Sequence, residues 1–222
     1  MKNKNKRLII IGAGGFAREV RWLAEDITES TDNPACFEFA GYVVSDLEKI
    51  GKNDSGKDVL GNFKWLLDNT NAFDCLAIGV GSPVARNEIA SDLERSFGPE
   101  YWPSLIHPSA QFDRKTCTVS RGVLICANVV GTVNVSFKEF SMINLSCTIG
   151  HEAVIGRATT LNPTVNISGG ATLGESVLVG TGAQVLQYLD VGSNSTIGAG
   201  AVVNKPVISG TTVVGIPAKP IG

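Results

Sequence analysis

The sequence predicts a chain in two parts, a small parallel α/β domain followed by a parallel β-helix. Three observations carry this. Residues 1–100 hold most of the charge and alternate apolar strands with amphipathic stretches. A glycine-rich turn, "GAGG", follows directly on the apolar run "RLIII". From residue 119 onward, a large apolar residue recurs every six positions.

In the first part, "RLIII" (7–11) reads as a short buried strand, and the turn after it leads into a helix. Phe16, Val20, Leu23 and Ile27 then fall at i, i+4, i+7 and i+11, one face of that helix. "EFAGYVV" (38–44) and "DCLAIGV" (74–80) read as further strands. "NFKWLLDN" and "PVARNEIASDLERSF" read as helices, the second with Ala85, Ile89, Leu93 and Phe97 on its apolar stripe. Strands alternating with helices imply a parallel sheet with crossover connections. The expected domains are residues 1–104 and 105–222.

The second part has a different period. Stepping by six from Val119 to Val203 gives fifteen positions, and fourteen are large and apolar; the exception is Gly131. Glycine follows directly at 150, 156, 174, 180, 192 and 198, and small residues such as Ala153, Ala171 and Ala183 sit two positions before. Six fits neither a helix nor a simple strand. It is the hexapeptide period of a β-helix, in which each unit makes one short strand and one corner. Three units close one triangular coil, so fifteen predict about five coils. A solenoid leaves faces that must be covered, which predicts a closed oligomer.

Composition excludes several classes. A net charge of −2 leaves no electrostatic footprint for nucleic acid or an anionic membrane. The basic lead-in and the short apolar run after it are too brief for a signal-peptide core or a membrane span. Five cysteines, an odd number without zinc-ligand spacing, read as free buried thiols in a reducing compartment. The expectation is a cytoplasmic protein with no metal site.

The repeats, together with "IIIGAGGFAREV", the junction "LIHPSA" and the terminal "VVGIPAKPI", carry a resemblance over nearly the full length. The chain resembles bacterial sugar acyltransferases, including sialic-acid O-acetyltransferases and bacillosamine-type nucleotide-sugar N-acetyltransferases. The resemblance implies a Rossmann-like front domain and a left-handed β-helix. It also implies a homotrimer with acetyl-CoA in the groove between neighbouring helices, acting in surface-glycan biosynthesis.

Several residues acquire expected roles from it. His151, in "GHE", matches the family's general base, and Glu152 the acid that orients or polarises it. Imidazole suits that task because it exchanges protons near neutrality, and an attacking hydroxyl or amine must lose a proton to a base. Asn144 matches a residue near the substrate. Gly169 matches a backbone N–H that stabilises the oxyanion of the tetrahedral intermediate. Gly180, Gly182 and Lys219 match the surface along which the CoA arm runs. A second family histidine, nine residues after the base, is Thr160 here. His107 reads as a structural residue of the first coil.

In the front domain, Gly12, Gly14 and Ala17 fit G-x-G-x-x-[GA], a turn whose N–H groups can face a phosphate. Gly12, Gly14, Gly15, Phe16 and Asp46 are the expected contacts for a sugar or nucleotide-sugar acceptor, Asp46 taking a ribose hydroxyl or a base. Phe16, where bacillosamine-type members have histidine, pulls toward a hydroxyl acceptor. An NAD oxidoreductase is disfavoured because no second nucleotide-binding half follows. A carbonic-anhydrase-type metalloenzyme would need three histidine ligands. The remaining alternative is a non-catalytic trimeric scaffold.

Overall fold

The computed structural model describes residues 5–30 and 36–221; the first four residues of the basic lead-in lie outside the described residues. Four parallel strands, β1 (Lys6–Ile11), β2 (Phe37–Val44), β3 (Val59–Asn62) and β4 (Cys75–Ile78), form one sheet in the order β3-β2-β1-β4. From Leu8 to Ile11 the central β1 is apolar and buried because both its faces are covered. Leu8 and Ile10 enter one core with helix α1 (Gly15–Glu29), while Ile9 and Ile11 enter the other with helix α3 (Pro83–Leu93). Helix α1 buries Val20, Leu23 and Ile27 of its expected stripe, and Phe16 is partly buried against the same core. A short helix α2 (Phe63–Asp68) is capped by Asn62, whose side chain accepts from the N–H groups of Lys64 and Trp65.

Helix α3 departs from the sequence expectation. Its buried face is Pro83, Arg86, Ala90 and Leu93, continued by Phe97; Ala85 and Ile89 stand only half-buried at its margin. Leu93 and Phe97 keep their expected burial, while Arg86 and Ala90 take the places expected for Ala85 and Ile89.

From Leu105 the chain winds as a left-handed parallel β-helix. Residues eighteen apart pair in parallel, so three flat faces arise. The first face stacks Leu124–Ile125, Met142–Ile143, Thr160–Leu161, Leu178–Val179 and Thr196–Ile197. The second stacks the pairs beginning at Val130, Thr148, Asn166, Gln184 and Val202. The third stacks those beginning at Thr118, Ser136, Val154, Thr172 and Asp190. The apolar residue of each hexapeptide points inward and forms one continuous core. Gly131 is no gap in it: Phe112 fills that interior position, its ring 5.7 Å from Phe137.

Every corner from 122 to 200 turns on a residue with positive φ, again at intervals of six. Ten of these are not glycine, among them Phe140, Glu152, Ala158 and Tyr188. A side chain in that region costs about 1 kcal/mol. Each such corner also donates its N–H to the coil before it, as Glu152 does to the Val133 carbonyl at 3.0 Å. One hydrogen bond contributes about as much as the strain costs.

The front domain rides on the first face. Leu105, Leu124, Cys126 and Met142 share one apolar cluster with Leu23 and Ile27 of α1. His107 joins the two parts. Its Nδ1 accepts from the Ser109 N–H at 3.0 Å, so Nε2 carries the proton toward Asp26 Oδ2, 3.1 Å away. Helix α3 clamps the edge between the third and first faces. Arg86, 1% exposed, donates to the carbonyls of Val80, Gly81, Phe140 and Ala158 and to the Thr160 hydroxyl. Burial pushes its pKa down to about 9, which still leaves it charged at neutral pH. Beside it, Glu94 receives Arg121 and Arg157. The five cysteines are free thiols; burial pushes Cys75 and Cys126 up to about 12 and Cys147 up to about 11.

Candidate active site

His151 and Glu152 lie on the edge between the second and third faces, directly after the strand Thr148–Ile149. The hexapeptide corner turns both side chains outward, and His151 is 51% exposed. The Glu152 carboxylate lies 3.6 Å from His151 Nδ1, an ion-pair distance when the imidazole is protonated. One coil further on, the imidazole rests against Gly169: a Cβ there would lie 2.5 Å from His151 Nε2 and would push the ring aside. The Gly169 N–H donates to no acceptor among the described residues. A free backbone donor therefore stands beside an exposed imidazole.

The other expected β-helix residues are elsewhere. Asn144, Gly180 and Gly182 lie on the edge between the first and second faces. Asn144 is buried, its side-chain oxygen accepting from the Leu145 N–H at 2.8 Å. Lys219 stands exposed on a short antiparallel strand at the C-terminal end of the first face. Thr160 lies inside the domain contact, bonded to Arg86. Within one chain the expected residues thus divide between two edges, with the second face between them. That face presents Val130, Thr148, Asn166, Gln184 and Val202 and no charge, and exposed Val133, Leu145 and Leu186 flank it.

In the front domain a cavity of about 160 Å³ opens at the carboxyl ends of the strands. Gly12, Asp46, Lys49, Asp54, Val80 and Ile89 line it. Gly12 needs its φ of +106°, and a Cβ there would meet the Gly79 carbonyl oxygen at 2.8 Å. Asp46 accepts from the Glu48 N–H and pairs with Lys49 at 3.3 Å, which together hold its carboxyl below the usual range. Gly14, Gly15 and Phe16 are not part of the lining. The segment 53–55 instead crosses the glycine turn. The Ser55 N–H donates to the Ala13 carbonyl at 3.0 Å, and Arg18 donates to the Asn53 carbonyl at 2.7 Å. The Asp54 carboxylate stands 3.6 Å from where a Gly14 side chain would begin. A carboxylate thus occupies the approach to the α1 N-terminus, where the helix dipole favours negative charge.

Residues 7–93 match the PglD N-terminal domain family. The acetyltransferase domain of PglB from Neisseria gonorrhoeae is 30% identical, covers 98% of this chain and 100% of that domain, and superposes with a TM-score of 0.81. The chain belongs to the hexapeptide-repeat sugar acyltransferases. The family fold extends to a variant of the perosamine N-acetyltransferase of Caulobacter crescentus, solved with CoA and GDP-perosamine. That structure is 23% identical, with coverage of 97% of this chain and 96% of that one and a TM-score of 0.84. A serine acetyltransferase of Mycobacterium tuberculosis is 39% identical over 82 residues, and the match spans 33% of this chain and 36% of that enzyme. Among the described residues no helix is long and apolar enough to cross a membrane, and no three potential metal ligands cluster.

Proposed function

We propose that the protein transfers an acetyl group from acetyl-CoA to an amine or hydroxyl of a nucleotide-linked sugar in cytoplasmic surface-glycan biosynthesis. The acceptor attacks the thioester carbonyl while His151 takes its proton. Negative charge gathers on the carbonyl oxygen, where the Gly169 N–H donates to it. Collapse of the intermediate expels the CoA thiolate, which recovers the proton from the imidazolium. Glu152 favours the charged imidazole during the interval. Acetyl-CoA and a nucleotide sugar are carried over from the relatives, and the front cavity at the strand ends is where an α/β sheet holds such a ligand.

The observation that carries this reading is the free N–H of Gly169 beside the exposed His151. The division of the other residues between two edges supports a homotrimer as the active form. Three copies packed through the uncharged second face bring the His151 edge of one copy against the Asn144–Gly180–Gly182 edge of the next. The His151 edge also lies opposite the face that carries its own front domain. An acceptor held by one copy would therefore meet the base of its neighbour.

The test is thiol release from acetyl-CoA with UDP-, dTDP- and GDP-linked amino sugars, sialic acid and CMP-sialic acid as acceptors. His151→Ala should lower turnover roughly 10²- to 10⁴-fold, the range of a lost general base, without moving the melting temperature. Full turnover in that variant would remove His151 from the mechanism. Absence of both turnover and CoA binding in the wild type would favour the scaffold reading.

A further inference from the structure

Two rings converge on the dipeptide Gly169–Gly170. His151 reaches it from the preceding coil, with its imidazole against Gly169. Tyr188 reaches it from the following coil: a Cβ on Gly170 would overlap the phenol ring at Cδ1 and Cε1. The backbone locks this arrangement, since the Gly170 N–H donates to the His151 carbonyl at 2.7 Å and the Tyr188 N–H to the Gly169 carbonyl at 3.0 Å. Adjacent α-carbons are about 3.8 Å apart, so the two side chains are near neighbours across the glycines.

Among the described residues, no contact beyond Gly170 accounts for the Tyr188 side chain. It is 70% exposed, no hydrogen bond to its hydroxyl exists among the described residues, and its corner holds a φ of +56°. The buried Phe140 makes a comparable stack on Gly122, but Trp102 and Arg157 cover its ring. Only one face of the Tyr188 ring is occupied, and the other is open beside the unused Gly169 N–H.

We propose that Tyr188 is a contact residue for the acyl donor, its ring forming the wall along which the thioester arm of acetyl-CoA lies. The inference rests on the acyltransferase reading above. With a thioester carbonyl held at the Gly169 N–H, the arm leaving that carbonyl borders Gly170 and hence the phenol. An aromatic wall suits a chain of methylene and amide groups, which gains by dispersion without needing a charge.

Steady-state kinetics on Tyr188→Ala and Tyr188→Phe, with acetyl-CoA and acceptor varied separately, test it. Tyr188→Ala should raise the KM for acetyl-CoA roughly tenfold, about 1.4 kcal/mol, and leave the acceptor KM, the melting temperature and the sedimentation coefficient unchanged. Tyr188→Phe should stay within about twofold of the wild type, because the ring supplies the contact. A Tyr188→Ala enzyme with wild-type donor KM overturns the inference while the acyltransferase reading stands. A change confined to acceptor KM or to oligomeric state overturns it also, assigning the ring to the acceptor or the subunit contact. A wild type that neither binds CoA nor turns over removes both.

Discussion

Two edges of the same β-helix use one local device for opposite ends. On the edge under α3, Phe140 sits on a left-handed corner with its ring over Gly122, and the stack is sealed by Trp102, Arg157 and the five donations of Arg86. On the His151 edge, Tyr188 sits on an equivalent corner with its ring over Gly170, and none of the described residues seals it. The corner geometry is the same and so is its strain. The difference lies in what surrounds the ring: apolar partners make the first stack part of the domain joint, and solvent leaves the second available to a ligand.

The comparison breaks first at Arg86. Replacing it with Met strips hydrogen bonds from four carbonyls and leaves them buried, which should cost roughly 3–5 kcal/mol in chemical denaturation. If Arg86→Met melts like the wild type, the edge under α3 is not a clamp. A paired substitution sharpens the contrast. Gly122→Ala pays the left-handed penalty and also drives a Cβ to within 2.5 Å of a ring that has nowhere to go. Gly170→Ala pays the penalty alone, because the exposed Tyr188 swings outward. The expected losses are about 3 and about 1 kcal/mol, with a drop in activity for Gly170→Ala out of proportion to its small loss of stability. Equal melting temperatures for the two variants would erase the distinction.

The last effect, one that depends on pH, concerns Glu94. Burial alone would raise its carboxyl pKa, but the donations from Arg121 and Arg157 outweigh that and hold it below 4.5. A carboxyl lowered by folding contributes stability above its unfolded-state pKa and loses it as pH falls through the folded value. The wild type should therefore exceed Glu94→Gln by roughly 1–3 kcal/mol near neutrality. That gap should close as the pH drops below 4.5. A gap that persists in acid would mean that packing, and not charge, joins Glu94 to the two arginines.

The solenoid was legible from the apolar residues at intervals of six because a repeat displays its period many times. Its one exception, Gly131, was not, since the filler Phe112 comes from outside the repeat register. The second half of the α3 stripe, Leu93 and Phe97, was legible, but the burial of Arg86 in its first half was not; the carbonyls of Phe140 and Ala158, far along the chain, explain it. His151 and Gly169 could be paired in advance, being eighteen residues apart. Asn144 precedes His151 by seven, one corner plus one residue, which already places it on a different edge. In the front domain the glycine spacing located the turn but not the carboxylate of Asp54, which reaches it through a loop with no periodicity.

The regularity of the coil also makes the protein count. Position along the axis and direction around it are both set by residue number, the second of them modulo eighteen. Eighteen residues inserted between Phe140 and His151 would lift that histidine by one coil and leave it facing the same way. Six would turn it by a third of a revolution, from its exposed edge to the one beneath α3, without disturbing a single local strand or corner. Insertions in this half of the chain are therefore rotations, and their length alone decides which way His151 faces.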